Sequence, residues 1–405
     1  MAAKSKSGRK AHGGTSKSGA TESDTSTVHG IDDEVPNPLM DAKQMSFDLC
    51  VQTLMSGCVS SFVEFYNLSH RDPVCVDALA NKMFSIGMDK LPYIQSTLVQ
   101  AEKARRGGEF REVYDCYIKL ANYFEDEMDH KTSLHFHQVG LDNAKQSSDK
   151  ELEGIAHENF GNAHERLGNT EMAIKFHETH LRLSEAAWNQ NMKRQANKNL
   201  IRVYMKRAAE CEAAAEYPRA KELYEKSMNT ARANSDTAAE GEAYHKLGNI
   251  TVLLGDLDKA LEYQKRFLLV SKEMRSDTNE GKAQISLAEL QEELGQVTDA
   301  LSSLQRSLQI AEEKDDHEAI CEACCKLGML HNKSGNYTKA VQYLEQNYEV
   351  MKKIGDKAEV ERARILVGVA RGNQFWTSGF LQMVDRDINS IMKWKCQGVM
   401  PDHGQ

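Results

Sequence analysis

Cys321, Cys324 and Cys325 fall within one short stretch, and His317 precedes Cys321 by one helical turn. On a helix, His317, Cys321 and Cys324 share a face and offer the donor types of a zinc site. Such a site wants four ligands, and no second cysteine pair follows to complete it. Buried cysteine also packs as a small apolar residue, so the expectation is packing with no metal. A second set is His157, His164, His177 and His180, with His137 forty residues before His177. A buried histidine cluster could act as a pH switch or ligate a metal; the alternative is neutral imidazoles hydrogen-bonded between helices. Beyond these two sets no catalytic motif stands out. There is no phosphate loop, dinucleotide fingerprint, zinc-protease helix or nucleophile elbow. The reading is a protein that is not an enzyme and binds no cofactor; a metal-dependent enzyme is the remote alternative.

The elements that must hold these residues repeat. Gly161, Gly248, Gly328 and Gly368, joined by Ala121, Ala208 and Ala288, form a series whose period is 40 residues, with one step of 47 from Gly161 to Ala208. Gly168, Gly255, Gly295 and Gly335 follow members of that series by seven residues, and Ala173, Ala260, Ala300 and Ala340 follow these by five, with Ala220 in the same set. Small residues locked to one period indicate a repeat array rather than a single core. Two antiparallel helices approach closely only where side chains are small, so the first series belongs inside the first helix of each pair (helix A). The second ends that helix in the left-handed conformation. The alanines face helix A from helix B. This spacing resembles the tetratricopeptide repeat with longer helices, and is preferred over HEAT-type repeats. The fold class is therefore all-α, a tetratricopeptide-type helical repeat solenoid with a 40-residue period and helical caps.

Helix starts agree. Capping boxes are read at Ser148/Glu151, Thr237/Glu240, Asp277/Glu280, Asp315/Glu318 and Asp356/Glu359. Seven repeats start near 114, 154, 201, 241, 281, 321 and 361, and two extra helical turns around Ala186 to Ala196 absorb the 47-residue step. The first repeat lacks the turn glycine, and the last has Phe380 where alanine belongs. The organisation read is a basic tail over 1–40, an N-terminal helical cap over 41–113, six repeats over 114–360, and a degenerate repeat with a C-terminal cap over 361–398. In the N-terminal cap, Phe47, Val51, Leu54, Met55 and Cys58, then Phe62, Phe65 and Tyr66, recur at helical spacing, as do Leu91, Ile94, Leu98 and Ala101. Two or three helices are expected there, packed on the first repeat.

Recognition is expected on the inner face, at positions two, five, nine and twelve of helix A. These are Ile155, Glu158, Asn162 and Glu165 in the second repeat, and Glu242, His245, Asn249 and Val252 in the fourth. In the fifth they are Lys282, Ile285, Glu289 and Glu292; in the sixth, Glu322, Cys325, Met329 and Asn332. The groove has an acidic bias, and Asn162 and Asn249 could bond an extended peptide backbone. Chaperone-binding members of the repeat family clamp a carboxylate with Lys and Arg here. Glu158 and His245 hold the fifth position instead, so that function is not carried over.

Net charge is −9 over 405 residues, with no dense basic face expected inside the repeats, so nucleic acid is not an expected partner. No apolar run reaches the ~20 residues that span a bilayer, and no signal core is seen. A cytosolic route without membrane insertion is expected. The nine cysteines then read as reduced thiols, and the sequons at Asn67, Asn249, Asn332 and Asn336 as unglycosylated. The first forty residues hold too little apolar surface to order alone. Lys4, Lys6, Arg9, Lys10 and Lys17 there form a solvated tail or an arm for an acidic surface such as a microtubule.

Gly161-Asn162 and Gly248-Asn249, with the 40-residue period, resemble the Leu-Gly-Asn repeat scaffolds that orient the mitotic spindle. That likeness implies a cytosolic scaffold binding an extended peptide of a signalling or spindle partner, but covers only the repeats. Three further stretches resemble the axonemal tetratricopeptide repeat protein 29 family. They run from Cys50-Val51 through Ser61-Phe62 to Phe65, from Ala101-Glu102 through Phe110 to Tyr123-Phe124, and from Val369-Ala370 to Trp394-Lys395. With the repeats they span most of the chain after about residue 45; the basic tail departs from the family. This resemblance implies a non-enzymatic scaffold of motile cilia and flagella, at the axoneme or in the cytoplasm, associated with inner-arm dynein and a small partner subunit.

Overall fold

A run of seventeen helical residues, a three-residue turn and another seventeen-residue helix is the unit from which most of this chain is built. The computed structural model describes residues 38–77, 82–377 and 388–397. Lys4, Lys6, Arg9, Lys10 and Lys17, the whole of 1–37, and Phe380 lie outside them. The pairs are α4 (Phe110–Asp126) with α5 (His130–Gln146), α6 (Lys150–Arg166) with α7 (Thr170–Ala186), and α8 (Gln190–Ala213) with α9 (Tyr217–Ala233). They continue with α10 (Thr237–Leu253) and α11 (Leu257–Glu273), α12 (Asp277–Glu293) and α13 (Val297–Glu313), and α14 (His317–Lys333) and α15 (Tyr337–Ile354). Then come α16 (Lys357–Phe375) and a short α17 (Ile388–Gln397). Two helices and two turns make the 40-residue period. The exception is α8, at 24 residues, whose seven extra residues account for the 47-residue step.

Most turns are built the same way: one residue takes the left-handed conformation, and the next is the N-cap of the following helix. The turn from α5 to α6 differs, with Ser147 extended and no left-handed residue before Asp149. Gly168 and Gly335 take the left-handed conformation at φ +77° between helices A and B, where glycine carries no Cβ penalty. Met128 (φ 64°) and Ala215 (φ 59°) stand at the same turn position without that advantage, as do Trp188, Ser235, Arg275 and Asp315 at φ 53–55° between pairs. The caps are Asp129, Asp149, Asn189, Asp236, Asp256, Asp316, Asn336 and Asp356, each accepting a backbone N–H of the first turn. Such a cap contributes about 1 kcal/mol. Four expected capping boxes are therefore displaced by one residue. The N-caps are Asp149, Asp236, Ser276 and Asp316 rather than Ser148, Thr237, Asp277 and Asp315. Asp315 is itself the left-handed turn residue, and Asp277 is already helical. Asp356 caps as expected.

Packing is local. Ala121, Ala173, Ala208, Ala220, Ala260, Ala300 and Ala340 are fully buried between paired helices. A Cβ on Gly161 would stand 2.7 Å from His177 Cε1, and one on Gly328 2.5 Å from Leu344 Cγ. Gly368 is different, because no described atom lies within 4 Å of its Cβ position. Six apolar clusters, each shared by neighbouring helices, replace a single core; one joins Leu200, Tyr204, Tyr224, Leu247 and Ile250 across α8, α9 and α10.

The N-terminal cap departs from the all-helical expectation. After α1 (Pro38–Met55) and α2 (Val59–Ser69), an antiparallel hairpin pairs β1 (Val74–Asp77) with β2 (Lys82–Phe84), ahead of α3 (Leu91–Gly107). Pro73 stops helix at this point, and Phe84 turns inward to meet Phe124 edge-on at 6.3 Å. Ser61 N–H and Oγ both donate at 2.8 Å to the buried Glu102 carboxylate, joining α2 to α3. Cys58, Phe65, Ile94, Leu98 and Ala101 are buried as expected, whereas Phe47, Leu54, Met55 and Tyr66 are exposed.

Candidate functional site

The helix A members α6, α8, α10, α12, α14 and α16 follow one another along the array, and polar bonds between residues about one period apart join α6 to α8, α12 to α14 and α14 to α16. Asn199 donates to Glu158 at 2.9 Å. Arg202 donates to Asn162 Oδ1 at 2.9 Å and to both Glu165 oxygens at 2.7–3.1 Å. Lys326 binds Glu289, Lys333 reaches Glu292 at 2.7 Å, and Asn373 donates to Asn332 at 3.0 Å. The acidic bias of this face is thus largely spent on lateral contacts. Exposed pairs of this kind contribute roughly 0–1 kcal/mol each, so they set the alignment of repeats more than their stability.

The expected binding residues divide accordingly. Glu158, Asn162, Glu165, Glu289 and Glu292 are engaged in the ladder. Glu242 and Lys282 are exposed and make no ion pair among the described residues. Ile285 is not on the surface; it is 7% exposed and packs in the cluster with Leu304 and Ile320. His245 and Asn249 are tied to helix B of their own repeat. Gln264 Nε2 donates to Asn249 Oδ1 at 2.9 Å and to the His245 carbonyl at 3.2 Å. Asn249, Glu289 and Glu292 converge, with Val252, Glu293 and Lys333, around a cleft of about 560 Å³. That cleft is open, carries three glutamates against one lysine, and is large enough for a few residues of a partner chain, which suits a basic or amide-bearing segment.

The histidines sit at packing positions. His177 and His180 are fully buried, and neither ring nitrogen of either has a hydrogen-bond partner. The expected inter-helix hydrogen bonds are absent at these two rings. His164 stacks on Phe176 with centroids 5.3 Å apart, and His137 faces Phe160 at 6.4 Å. Burial pulls His137 and His157 down to about 4 and His177 to about 3, and lowers His164 and His180. Charged neighbours act around them: Glu125 and Arg166 near His137, Lys145, Glu153 and Arg182 near His157, Arg202 near His177, and Glu158 near His180. At neutral pH these rings are neutral packing groups.

Cys321 and Cys324 are buried in the helix interface, where desolvation pushes their thiols up to about 11 and about 12. A metal binds thiolate, and this environment disfavours it. Among the described residues no group of His, Cys, Asp and Glu is placed to hold a metal, and no helix is long and apolar enough to cross a membrane.

One expectation fails on α8. Lys193, Arg194, Lys198, Arg202, Lys206 and Arg207 precede its first acid, Glu210. Arg194, Lys198, Arg202 and Lys206 are all exposed. This is a dense basic face inside the repeats. Its signal was present in the sequence as four basic residues at intervals of four, in the third repeat.

Comparison with known proteins agrees with this architecture. Sequence models of the tetratricopeptide repeat match residues 156–187, 241–273 and 280–353. Tetratricopeptide repeat protein 29 of Trypanosoma brucei brucei is 36% identical over 226 residues, covering 56% of this chain and 47% of that protein. The Rattus norvegicus protein of the same name is 29% identical over 217 residues, covering 49% and 45%. The chain spans about half the length of the curated relatives it matches. A solved structure described as YrrB, a TPR protein with an unusual peptide-binding site, is 20% identical, with TM-score 0.37, over 56% of this chain and 97% of that one. The resemblance to the tetratricopeptide repeat protein 29 family holds, and the chain is a tetratricopeptide-type solenoid of the kind that serves as a protein-interaction scaffold.

Proposed function

We propose that this protein is a non-enzymatic scaffold of the motile-cilium axoneme, associated with inner-arm dynein and a small partner subunit, and that it holds partners on its helix A face. The similarity to proteins named Tetratricopeptide repeat protein 29 carries this reading, because the sequence resemblance to that family includes the segments before and after the repeats. The cleft around Asn249, Glu289 and Glu292 supplies a partner-sized site on the same face. A repeat array suits the role, since it presents an extended surface on a frame that each repeat stabilises through its neighbours. The basic residues Lys4, Lys6, Arg9, Lys10 and Lys17 would add a weak, salt-screened attraction to the acidic microtubule surface.

The test is to express the tagged chain in a flagellated cell and extract with detergent. The proposal expects the protein to remain with the axoneme and to leave with the inner-arm dyneins at high salt. A protein found wholly in the detergent-soluble fraction would favour the cytosolic scaffold reading instead.

A further inference from the structure

We propose that the basic ridge of α8 is a binding surface for an acidic polypeptide segment whose carboxylates alternate along an extended chain. The inference rests on reading the helix A face as an interaction surface, and names the chemistry that one part of it takes. Arg194, Lys198, Arg202 and Lys206 are exposed and follow one another at intervals of four. They form a single ridge, inclined about 26° to the helix axis. Charges elsewhere on α8 are already neutralised: Lys193 by Glu185 at 2.8 Å, Arg207 by Glu171 at 2.9 Å and by Glu210 at 3.1 Å. Within the ridge only Arg202 has a carboxylate, Glu165 at 2.7 Å. Lys206 reaches the Glu165 carbonyl at 3.1 Å. Arg194 and Lys198 have no ion pair among the described residues.

The fit to a partner is metric. Four helical residues advance about 6 Å. Side chains on one side of an extended chain recur about every 6.6 Å. An acidic chain with a carboxylate at every second residue therefore meets successive basic groups with little distortion. A contiguous acidic block sends half its carboxylates away from the ridge. The step in the solenoid opens the site: α10 ends 40 residues after α8 ends but begins 47 residues after α8 begins, so the first two turns of α8 have no counterpart in α10. Trp188 stands at the turn into α8 and is 90% exposed, offering an apolar anchor beyond the Arg194 end. Exposed Trp and Arg are the residue types that dominate protein interfaces.

The experiment uses the full chain and labelled twelve-residue peptides of equal composition, with six Glu either alternating with Ser or in one block, read by fluorescence anisotropy. At 50 mM salt the alternating peptide is expected to bind at least fivefold tighter than the block, and to weaken at 300 mM. Arg194→Glu with Lys198→Glu should cost at least tenfold, and Trp188→Ala should weaken a peptide carrying an added terminal Leu. If the charge reversal lowers the melting temperature, Arg194→Gln with Lys198→Gln decides. Asn249→Ala should leave this binding unchanged while affecting a partner held in the cleft, which separates failure of the ridge from failure of the scaffold reading. Equal binding of the two peptides, full binding by the reversed variant, or tighter binding of a single-stranded oligonucleotide of equal charge would each overturn the proposal.

Discussion

Gln264 occupies the space that a side chain on Gly248 would need. A Cβ there would stand 2.7 Å from Gln264 Cδ, and the same carboxamide donates to His245 and Asn249 on helix A. The interval of sixteen residues recurs as Gly161 with His177 and Gly328 with Leu344. The glycine thus lets helix B insert one large side chain into helix A, and that side chain differs from repeat to repeat.

Gly328→Ala and Gly368→Ala should therefore change stability in opposite directions. The first drives a methyl into Leu344 and the backbone of Ala340, a form of overpacking that costs roughly 1–3 kcal/mol. The second meets no described atom and gains up to about 1 kcal/mol from helix propensity. Gly328→Leu should be worse than Gly328→Ala. Thermal unfolding followed by circular dichroism reads both signs, and a loss of stability in both alanine variants would contradict the packing described.

Asn249→Ala removes the acceptor of a buried donor. Gln264 keeps its bond to the His245 carbonyl, so the expected loss is one hydrogen bond, about 0.5–1.5 kcal/mol. Asn162→Ala removes only an exposed contact to Arg202 and should cost less. Urea denaturation of the two variants checks the order; equal losses would mean that the Gln264 bond does not form.

Acid should weaken the first repeats. A histidine whose folded pKa lies below its unfolded value of about 6.5 binds fewer protons folded than unfolded. Its stabilising effect is full above pH 6.5 and is lost as pH falls toward about 4 for His137 and His157 and about 3 for His177. Each such group contributes a slope of up to about 1.4 kcal/mol per pH unit in that window. His177→Gln, which copies Gln264 of the fourth repeat, should flatten the curve by one such group. A pH series of denaturation midpoints for wild type and variant tests this, and parallel curves would contradict it.

The turns leave stability unused. Arg275 and Met128 sit in the left-handed region without being glycine, and that conformation costs an ordinary residue about 1–2 kcal/mol. Glycine recovers part of this after its larger chain entropy is counted. Arg275→Gly should raise the unfolding midpoint, while Gly335→Ala should lower it. A drop on Arg275→Gly would mean the turn is set by something other than backbone sterics.

The period was legible because glycine and alanine report contacts that side-chain size alone controls. The caps were less so: Ser148-Asp149 and Asp315-Asp316 offer two adjacent oxygens. At the second pair the left-handed turn at Asp315 leaves the cap to Asp316, and at the first the Asp149 carboxylate accepts the Glu151 and Leu152 N–H groups. The hairpin of Val74–Asp77 with Lys82–Phe84 is not legible, since strands of four and three residues are too short to display a period. Groove positions were read by repeat number alone. That could not show that Ile285 turns inward, or that Arg202 ties up Asn162 and Glu165. The long helix α8 interrupts the period, and of its basic ridge only Arg202 holds one of the four groove positions, the second of the third repeat.

The proposed hold of an axonemal dynein partner on the helix A face is tested most directly at two lysines. Lys282 is exposed on that face, and Lys333 stands at the cleft beside Glu292. Cross-linking of intact axonemes containing the tagged chain, read by mass spectrometry, should join these two lysines to an inner-arm dynein or its small subunit, and Lys282→Arg with Lys333→Arg should remove those links. Cross-links confined to other surfaces of this chain, or to partners outside the axoneme, would contradict the account.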